Sequence, residues 1–599
     1  MSTPIEDYAM LGDCRSAALV TRSGSIDWLC LPRFDSDAVF AALLGTPEHG
    51  RWLLCPTDET ARSQRSYRDG SLVLDTIFET ASGQVLVTDF MVASHNGEVH
   101  NHLVRRVEAL RGKVPMRTEL VMRFGYGLIV PWVTQQDDGL RAVAGPDQLL
   151  LRTPLTIDSH DMVSTAEFTL EPGQSTWFVL SHGASHLEQP PALDVEEALR
   201  TTLKFWEDWS SRCADAGPWS AQVKRSLVVL KGLSYLPTGA IVAAPTASLP
   251  EHLGGERNWD YRYCWLRDSS FTLLALTNAG YREEAAAFSD WVKRAVAGTP
   301  GQLQALYGVG GERRLPEWVA DWLPGYEDSR PVNLGNAAAK QFQLDVYGEL
   351  IGILEAARLR GMESGESGIE LERAFLVELE QRWHDPDEGI WEVRSGRRHF
   401  THSKLMAWRA FDLAAENDAS FCAEDRARWR EQATQVHADI LANALHPDGY
   451  FVQSYGDDAL DAALLLMPLT GFLPPDDPRM VTTVETIRDR LTVDGLVQRY
   501  VTSEANDGLP DGEGTFLACS FWLVEALAMI GRIDQARERY AALLALCNDV
   551  GLLAEEYDPR GRRMLGNFPQ GYSHVALVNA AYRLNNLKDI QRTSTEIHA

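Results

Sequence analysis

Hydrophobic and polar positions alternate with a period of two through the first third of the chain, and with a helical period through the rest. Up to about residue 185 the alternation is clearest in Ser71-Leu-Val-Leu-Asp-Thr-Ile-Phe-Glu-Thr80 and Gly83-Gln-Val-Leu-Val-Thr-Asp-Phe90. These segments predict antiparallel strands joined by short turns. Further strands fit Cys14–Val20, Ser25–Cys30, His102–Val107, Leu149–Thr153 and Gln174–Leu180. A β-sandwich is the economical packing for so many short strands with one apolar face each.

The period changes after Pro190-Pro191, where Asp194-Val-Glu-Glu197 has the form of a capping box and predicts a helix to about Cys213. From about Ser220 amphipathic helices follow one another, among them Asn336–Arg360, Gly368–His384 and Phe516–Ile530. Their connections alternate in length. Long loops are expected near 236–267, 297–335, 385–401, 444–456, 492–515 and 550–571, and tight joins at Gly280, at Gly361-Met-Glu-Ser-Gly365 and at Gly531-Arg-Ile-Asp534. Helical hairpins with all their long loops on one side would close into an (α/α)6 barrel carrying its site at that rim, since functional residues concentrate on loops held by a rigid scaffold. An open α-solenoid is the alternative, but the sequence shows no repeat of the 34-residue kind. The expected organisation is therefore a β-sandwich over 1–190, a helical linker over 191–219 and the barrel over 220–599.

Composition narrows the chemistry. The net charge of -28 arises from 84 acids and 56 bases without a basic block, which argues against nucleic acid and against an anionic membrane surface as partners. Neither a secretory leader at Met1-Ser-Thr-Pro-Ile-Glu nor an apolar run of membrane-spanning length is seen, so a cytoplasmic location is expected. The 8 cysteines are scattered with no Cys-x-x-Cys pair, so neither a zinc site nor a redox dithiol is expected. No Walker loop, Gly-x-Gly-x-x-Gly, His-Glu-x-x-His or Gly-x-Ser-x-Gly occurs, which removes nucleotide, metalloprotease and serine-hydrolase readings. Neither a cofactor nor a metal is called for, and the acidic surface leaves a homo-oligomer open.

The long loops instead carry tryptophan and tyrosine beside arginine, aspartate and glutamate. Aromatic faces suit the C–H faces of pyranose rings, and charged groups suit their hydroxyls, so a small carbohydrate is the expected substrate. The densest segment is Glu251 to Asp268, where Asp268 would cap a helix and Arg267, Tyr261 and Trp265 stand close by. Two other loops each offer a glutamate: Glu392 in Gly389-Ile-Trp-Glu-Val-Arg394, and Glu555 in Leu553-Ala-Glu-Glu-Tyr557. Acetal hydrolysis needs one carboxylic acid to protonate the leaving oxygen and one carboxylate to activate water. Glu392 follows Trp391, an apolar neighbour of the kind that suits a general acid. In the adjacent pair Glu555 and Glu556, one is expected to stay charged while the other makes structural bonds.

These segments resemble glycoside hydrolase family 15, the inverting family of glucoamylases and of actinobacterial-type trehalases. The resemblance runs from Ile5-Glu-Asp-Tyr8 and Gly24-Ser-Ile-Asp-Trp-Leu-Cys-Leu-Pro-Arg-Phe-Asp35 to Gly566-Asn-Phe-Pro-Gln570. Its most specific pieces are Gly255 to Asp268, Tyr307-Gly-Val-Gly-Gly-Glu-Arg313, Gly389 to Arg394, Glu513-Gly-Thr-Phe516 and Ala554-Glu-Glu556. It implies a β-sandwich followed by a catalytic (α/α)6 barrel, with Glu392 as general acid and Glu555 as general base. Arg267 and Asp268 match the pair that grips the terminal glucose, and Tyr261 and Trp265 match aromatics of that pocket. Arg313, Trp391 and Glu556, inside the same matched segments, complete the expected substrate contacts. Fungal glucoamylases carry a second acid directly after the catalytic one, where this chain has Val393, so the leaving-group side is expected to differ from a starch enzyme. The implied activity is inverting, exo-acting hydrolysis of an α-glucoside, with α,α-trehalose ahead of short α-1,4- or α-1,6-gluco-oligosaccharides. A disaccharide phosphorylase needs only one catalytic acid, and a sugar-binding protein needs none, so the glutamate pair argues against both.

Overall fold

The period-two segments build two eight-stranded antiparallel sheets. The structure, a computed structural model, describes residues 2–93, 100–358, 365–505 and 507–586. In spatial order the first sheet runs Tyr8–Gly12, Ala17–Thr21, Ser25–Cys30, Arg51–Pro56, Pro115–Val121, Val163–Thr169 and Asp158–His160, with Ala38–Phe40 paired to Ser25–Cys30. The second runs Trp132–Gln136, Gly139–Ala144, Asp147–Arg152, Ser175–Ala184, His102–Gly112, Gly83–Met91, Leu74–Thr80 and Arg62–Tyr67. Trp52 of the first sheet meets Phe178 of the second edge to face, with ring centroids 6.2 Å apart. Arg105 of the second sheet pairs with Asp89 and donates to the carbonyls of Trp52 and Gly24, each at 2.8 Å. A fully buried guanidinium is tolerable only with partners on this scale. The strand expected from Cys14 begins three residues later, because Asp13 accepts the N–H groups of Arg15 and Ser16 and turns the chain there.

The helices are α1 (Val195–Ser210), α2 (Ser220–Gly232), α3 (Leu266–Asn278), α4 (Arg282–Val296), α5 (Asp345–Arg358), α6 (Gly365–Arg382), α7 (Thr401–Glu416), α8 (Ala423–Asn443), α9 (Met467–Thr470), α10 (Pro478–Arg490), α11 (Thr502–Ala505), α12 (Leu517–Met529), α13 (Ile533–Leu544) and α14 (Gly571–Asn585). Asp194 caps α1 through the N–H groups of Glu196 and Glu197, while Glu197 turns to Arg200 rather than back to the cap. The helix expected from Asn336 starts only at Asp345. Asn336 caps a short 3-10 turn at Ala337–Lys340, and the N–H groups of Phe342 and Leu344 go to the carboxylates of Glu388 and Asp387. The expected end of that helix, at residues 359–360, and most of the join at 361–365 lie outside the described residues.

Helix α3 packs on α5, α5 on α7, and α7 on α9 and the 3-10 turn Ala462–Leu466 before it. That turn packs on α12, α12 on α14, and α14 back on α3. Helix α12 is buried from Leu517 to Ala528, as a helix apolar on every side must be. The outer helix α8 buries only the stripe Trp429, Ala433, Val436 and Ile440. Long connections of residues 233–265, 297–344, 383–400, 444–461, 491–516 and 545–570 all precede the inner helices, and short ones follow them. The first of these long connections rests on the sheets. The Trp28 indole donates to the Pro245 carbonyl at 2.8 Å, and Arg262, paired with Asp260, donates to the Ser36 carbonyl and the Tyr126 hydroxyl.

Candidate active site

The segment from Glu251 to Asp268 enters α3 through a strand rather than a cap. Cys264–Trp265 pairs with Leu306–Tyr307, and Trp265 takes the cap position in extended conformation without a side-chain bond. Asp268 therefore lies in the first turn of α3 and not at its cap as expected; there the helix dipole favours its charge. Burial pushes its carboxyl up to about 6, with Arg267 pulling it down and Glu392 pushing it up. Arg267 is itself buried, and its guanidinium reaches Gln343 and Asp345 at 3.3 Å and Glu392 Oε1 at 3.5 Å.

Glu392 sits in a tight turn at φ 61°, closed by Glu392 N–H to the Gly389 carbonyl and Val393 N–H to the Glu388 carbonyl. The Gln341 amide donates to the carbonyls of Glu392 and Val393. The glutamate's Oε1 accepts from the Trp265 indole at 2.8 Å and from Gln343 at 3.4 Å. The apolar contact expected from Trp391 is not what surrounds this carboxyl. Trp391 directs its indole N–H to Asp461 at 2.8 Å and packs on Phe516 and Trp522, joining three long connections.

Glu555 is 1% exposed. Its backbone N–H donates to the Asn567 carbonyl, and Oε2 accepts the Asn567 N–H, both at 3.1 Å. Oε1 has no hydrogen-bond partner among the described residues. Burial and the nearby charge of Glu251 push this carboxyl above the ordinary range, against the pull of the Tyr261 hydroxyl, Arg499 and the Asn567 N–H.

These side chains line one two-lobed pocket. The lobe at the N-terminus of α3, about 450 Å³ and called the inner lobe, is walled by Trp265, Arg267, Asp268, Tyr572 and Glu555. An outer lobe of about 500 Å³ is walled by Glu251, Arg257, Trp259, Gln341, Arg394 and Asp507. Tyr261, Trp391, Glu392 and Arg499 face both. Val393 lines the outer lobe only.

The family model for glycosyl hydrolases family 15 matches residues 219–582, and that for the trehalase-like N-terminal domain matches residues 1–206. The chain belongs to glycosyl hydrolases family 15. It is 38% identical to a trehalase of Mycolicibacterium smegmatis across 96% of this chain and 90% of that relative. A trehalase of Thermoplasma volcanium is 33% identical across 98% of this chain and 95% of its own. A bacterial glucoamylase complexed with acarbose shares the fold, with a TM-score of 0.70 at 14% identity, covering 98% of this chain and 95% of that one.

Tyr261, Trp265, Arg267, Asp268, Trp391, Glu392 and Glu555 all line the inner lobe of this pocket. Two expected contacts lie elsewhere. Arg313 donates to the carbonyls of Gln302, Ala295 and Ala297 and lies over the Tyr307 ring, a structural role for its donors. Glu556 begins a strand, where successive side chains point to opposite sides, so it turns away from the pocket to accept the Gly514 N–H at 2.8 Å. It joins Glu251 and Glu513, with carboxylate oxygens within 4.8 Å of one another, the spacing of a cation site. The cation there is Arg499, at 2.7 Å from Glu251, 2.6 Å from Glu513 and 3.9 Å from Glu556. Arg499 and Arg257, the latter paired with Asp507 at 2.8 Å, were not anticipated. Their only sequence signal is a place in the long connections, Arg257 within the densest segment and Arg499 beside Tyr500.

Proposed function

We propose that this chain is an inverting, exo-acting α-glucoside hydrolase that cleaves α,α-trehalose to two glucose molecules, the first released as the β-anomer. The supporting observation is that Glu392 faces both lobes of the pocket whereas Glu555 faces only the inner one. An acid between two sugar rings reaches the oxygen that joins them. A base on the inner ring alone reaches a water on the face opposite that oxygen. Glu392 donates a proton to the glycosidic oxygen as its bond to the anomeric carbon breaks. Glu555 takes a proton from the attacking water through Oε1, and Arg267 and Asp268 hold the inner glucose. The two carboxyls are expected roughly 6.5–9.5 Å apart, which leaves room for that water. Trehalose as substrate is supported by the two trehalases above and by two lobes of similar size.

The helical cycle with its outer partners supports an (α/α)6 barrel over 220–599, preceded by a β-sandwich over 1–190 and a linker over 191–219. All 8 cysteines are free, which supports a reducing, cytoplasmic setting. No described helix is long and apolar enough to cross a membrane.

The test is hydrolysis of trehalose, maltose, isomaltose and maltotriose, with the anomer of the first glucose recorded by NMR. Trehalose is expected to be hydrolysed fastest, giving β-glucose. Glu392→Gln and Glu555→Gln should each lose about 10²–10⁴-fold in kcat with the fold intact. An α-anomer, or glucose 1-phosphate formed when phosphate is present, would overturn the mechanism.

A further inference from the structure

Behind the catalytic pocket, about one helical turn farther along α3 from Arg267, lies a second cavity of about 1080 Å³. Its walls are mainly apolar, with Phe271, Leu274, Met406, Leu413, Leu466 and Leu469 from four different elements. Glu349, 5% exposed, lines it with no ion pair among the described residues. Its Oε2 accepts from the Ser270 hydroxyl, but Oε1 has no partner. Asn579 lines the same cavity, donates to the Phe271 carbonyl at 3.4 Å, and leaves its own buried Oδ1 without a partner. Two unmatched acceptors thus flank consecutive residues of α3. A buried acceptor left unmatched costs about 1–3 kcal/mol, more when charged. Burial accordingly pushes the Glu349 carboxyl up to about 8. The cavity's other charges already have partners: Arg583 pairs with Glu525 at 3.3 Å and Arg409 with Asp412 at 3.0 Å.

The space is kept open by sequence. Gly352 lies inside α5, where glycine costs roughly 0.5–1 kcal/mol relative to alanine, yet a Cβ at that position would meet nothing within 4 Å. Packing does not demand glycine there.

We propose that this rear cavity is a binding site for a protonated primary amine with an apolar body, its ammonium on Glu349 and Asn579 and its body against the leucine and phenylalanine walls. A cation is favoured over a neutral donor because Glu349 is buried and has no cationic partner among the described residues. A metal ion is disfavoured because the cavity's other carboxylates are already engaged, Glu525 by Arg583 and Glu355 by Arg358. Ser270 carries the consequence forward: its one hydroxyl proton lies between Glu349 and the Arg267 carbonyl, 2.8 Å away, so the occupant bears on the turn that holds Arg267 and Asp268.

The test is calorimetric titration of the whole chain with hexylammonium chloride and, separately, with 1-hexanol, with glucose present to fill the catalytic pocket. One hexylammonium is expected to bind per chain despite glucose, at least tenfold more tightly than hexanol. Glu349→Gln should weaken it at least tenfold, and Gly352→Leu should abolish it while leaving trehalose hydrolysis unchanged. Displacement by glucose, equal binding of hexanol, absence of binding, or full binding by Gly352→Leu would each overturn the proposal. Should Glu349→Gln fail to fold, the glycine variant decides alone.

Discussion

The Trp265 indole donates to Oε1 of Glu392 at 2.8 Å, and Arg267 and Gln343 reach that same oxygen from farther away. Oε2 receives no side-chain or backbone donor among the described residues. The carboxyl is thus fixed by one oxygen and free at the other, and the free one can face the bond between two sugars. Trp265→Phe keeps the ring against Tyr261 but removes the orienting donor. Its kcat should fall about 10²-fold, the cost of a reacting group misplaced by an ångström or so, with KM moving far less. Steady-state kinetics beside a melting curve check this, and a near-normal kcat would deny the bond its orienting role.

Glu392 is also held at φ 61°, in the left-handed region where an L-residue pays roughly 1–2 kcal/mol and glycine does not. Both Glu392→Ala and Glu392→Gly lose the carboxyl, but only glycine relieves the backbone. The glycine variant should therefore be more stable than the alanine variant by about 1 kcal/mol, reversing the order expected at an ordinary position. Paired urea titrations measure the difference; alanine equal to or above glycine would show that the turn carries no such strain.

What the sequence discloses here is governed by range. Ser25–Cys30 is recovered to the residue because strand alternation is local, and so is the Glu251 to Asp268 segment because its chemistry is contiguous. The 3-10 turn at Ala337–Lys340 reads as helix because its composition is helical. Only carboxylates some 45 positions on, Asp387 and Glu388, take the N–H groups that a continuous helix would have used. Arg499 is silent for the same reason, its partner Glu251 lying 248 positions away. Arg313 shows the opposite failure. Its motif has the right residues, but three nearby carbonyls take its donors. Glu556 had a usable local signal, since adjacent acids opening a strand cannot face the same cavity.

The position of Glu251 implies a pH effect. The proposed base Glu555 is pushed up by burial and then by the charge of Glu251, and activity requires it ionised. Activity is therefore lost as pH falls through the Glu555 pKa of the free enzyme. Glu251→Gln removes the second cause while an amide oxygen can still accept from the Trp259 indole. The acid limb of kcat/KM should move to lower pH in this variant, with the alkaline limb displaced less. An unmoved acid limb, or one shifted upward, would separate Glu251 from the base.

The first long connection reaches the sheets through Arg262, which is 1% exposed and paired with an equally buried Asp260. The guanidinium also joins the Ser36 carbonyl to the Tyr126 hydroxyl, and its sequence neighbour Tyr261 lines the pocket. Arg262→Met removes these donors and leaves the Asp260 carboxylate buried without its partner, a change worth about 3–5 kcal/mol. Chemical denaturation should register that loss, and kcat/KM should fall because Tyr261 and Trp265 lose their support. Adding Asp260→Asn neutralises the stranded carboxylate, so the double variant should be more stable than the single one while its activity stays low. That split distinguishes a support for the site from a mere store of stability: activity returning together with stability would mean that the sheets hold the fold but do not position the site.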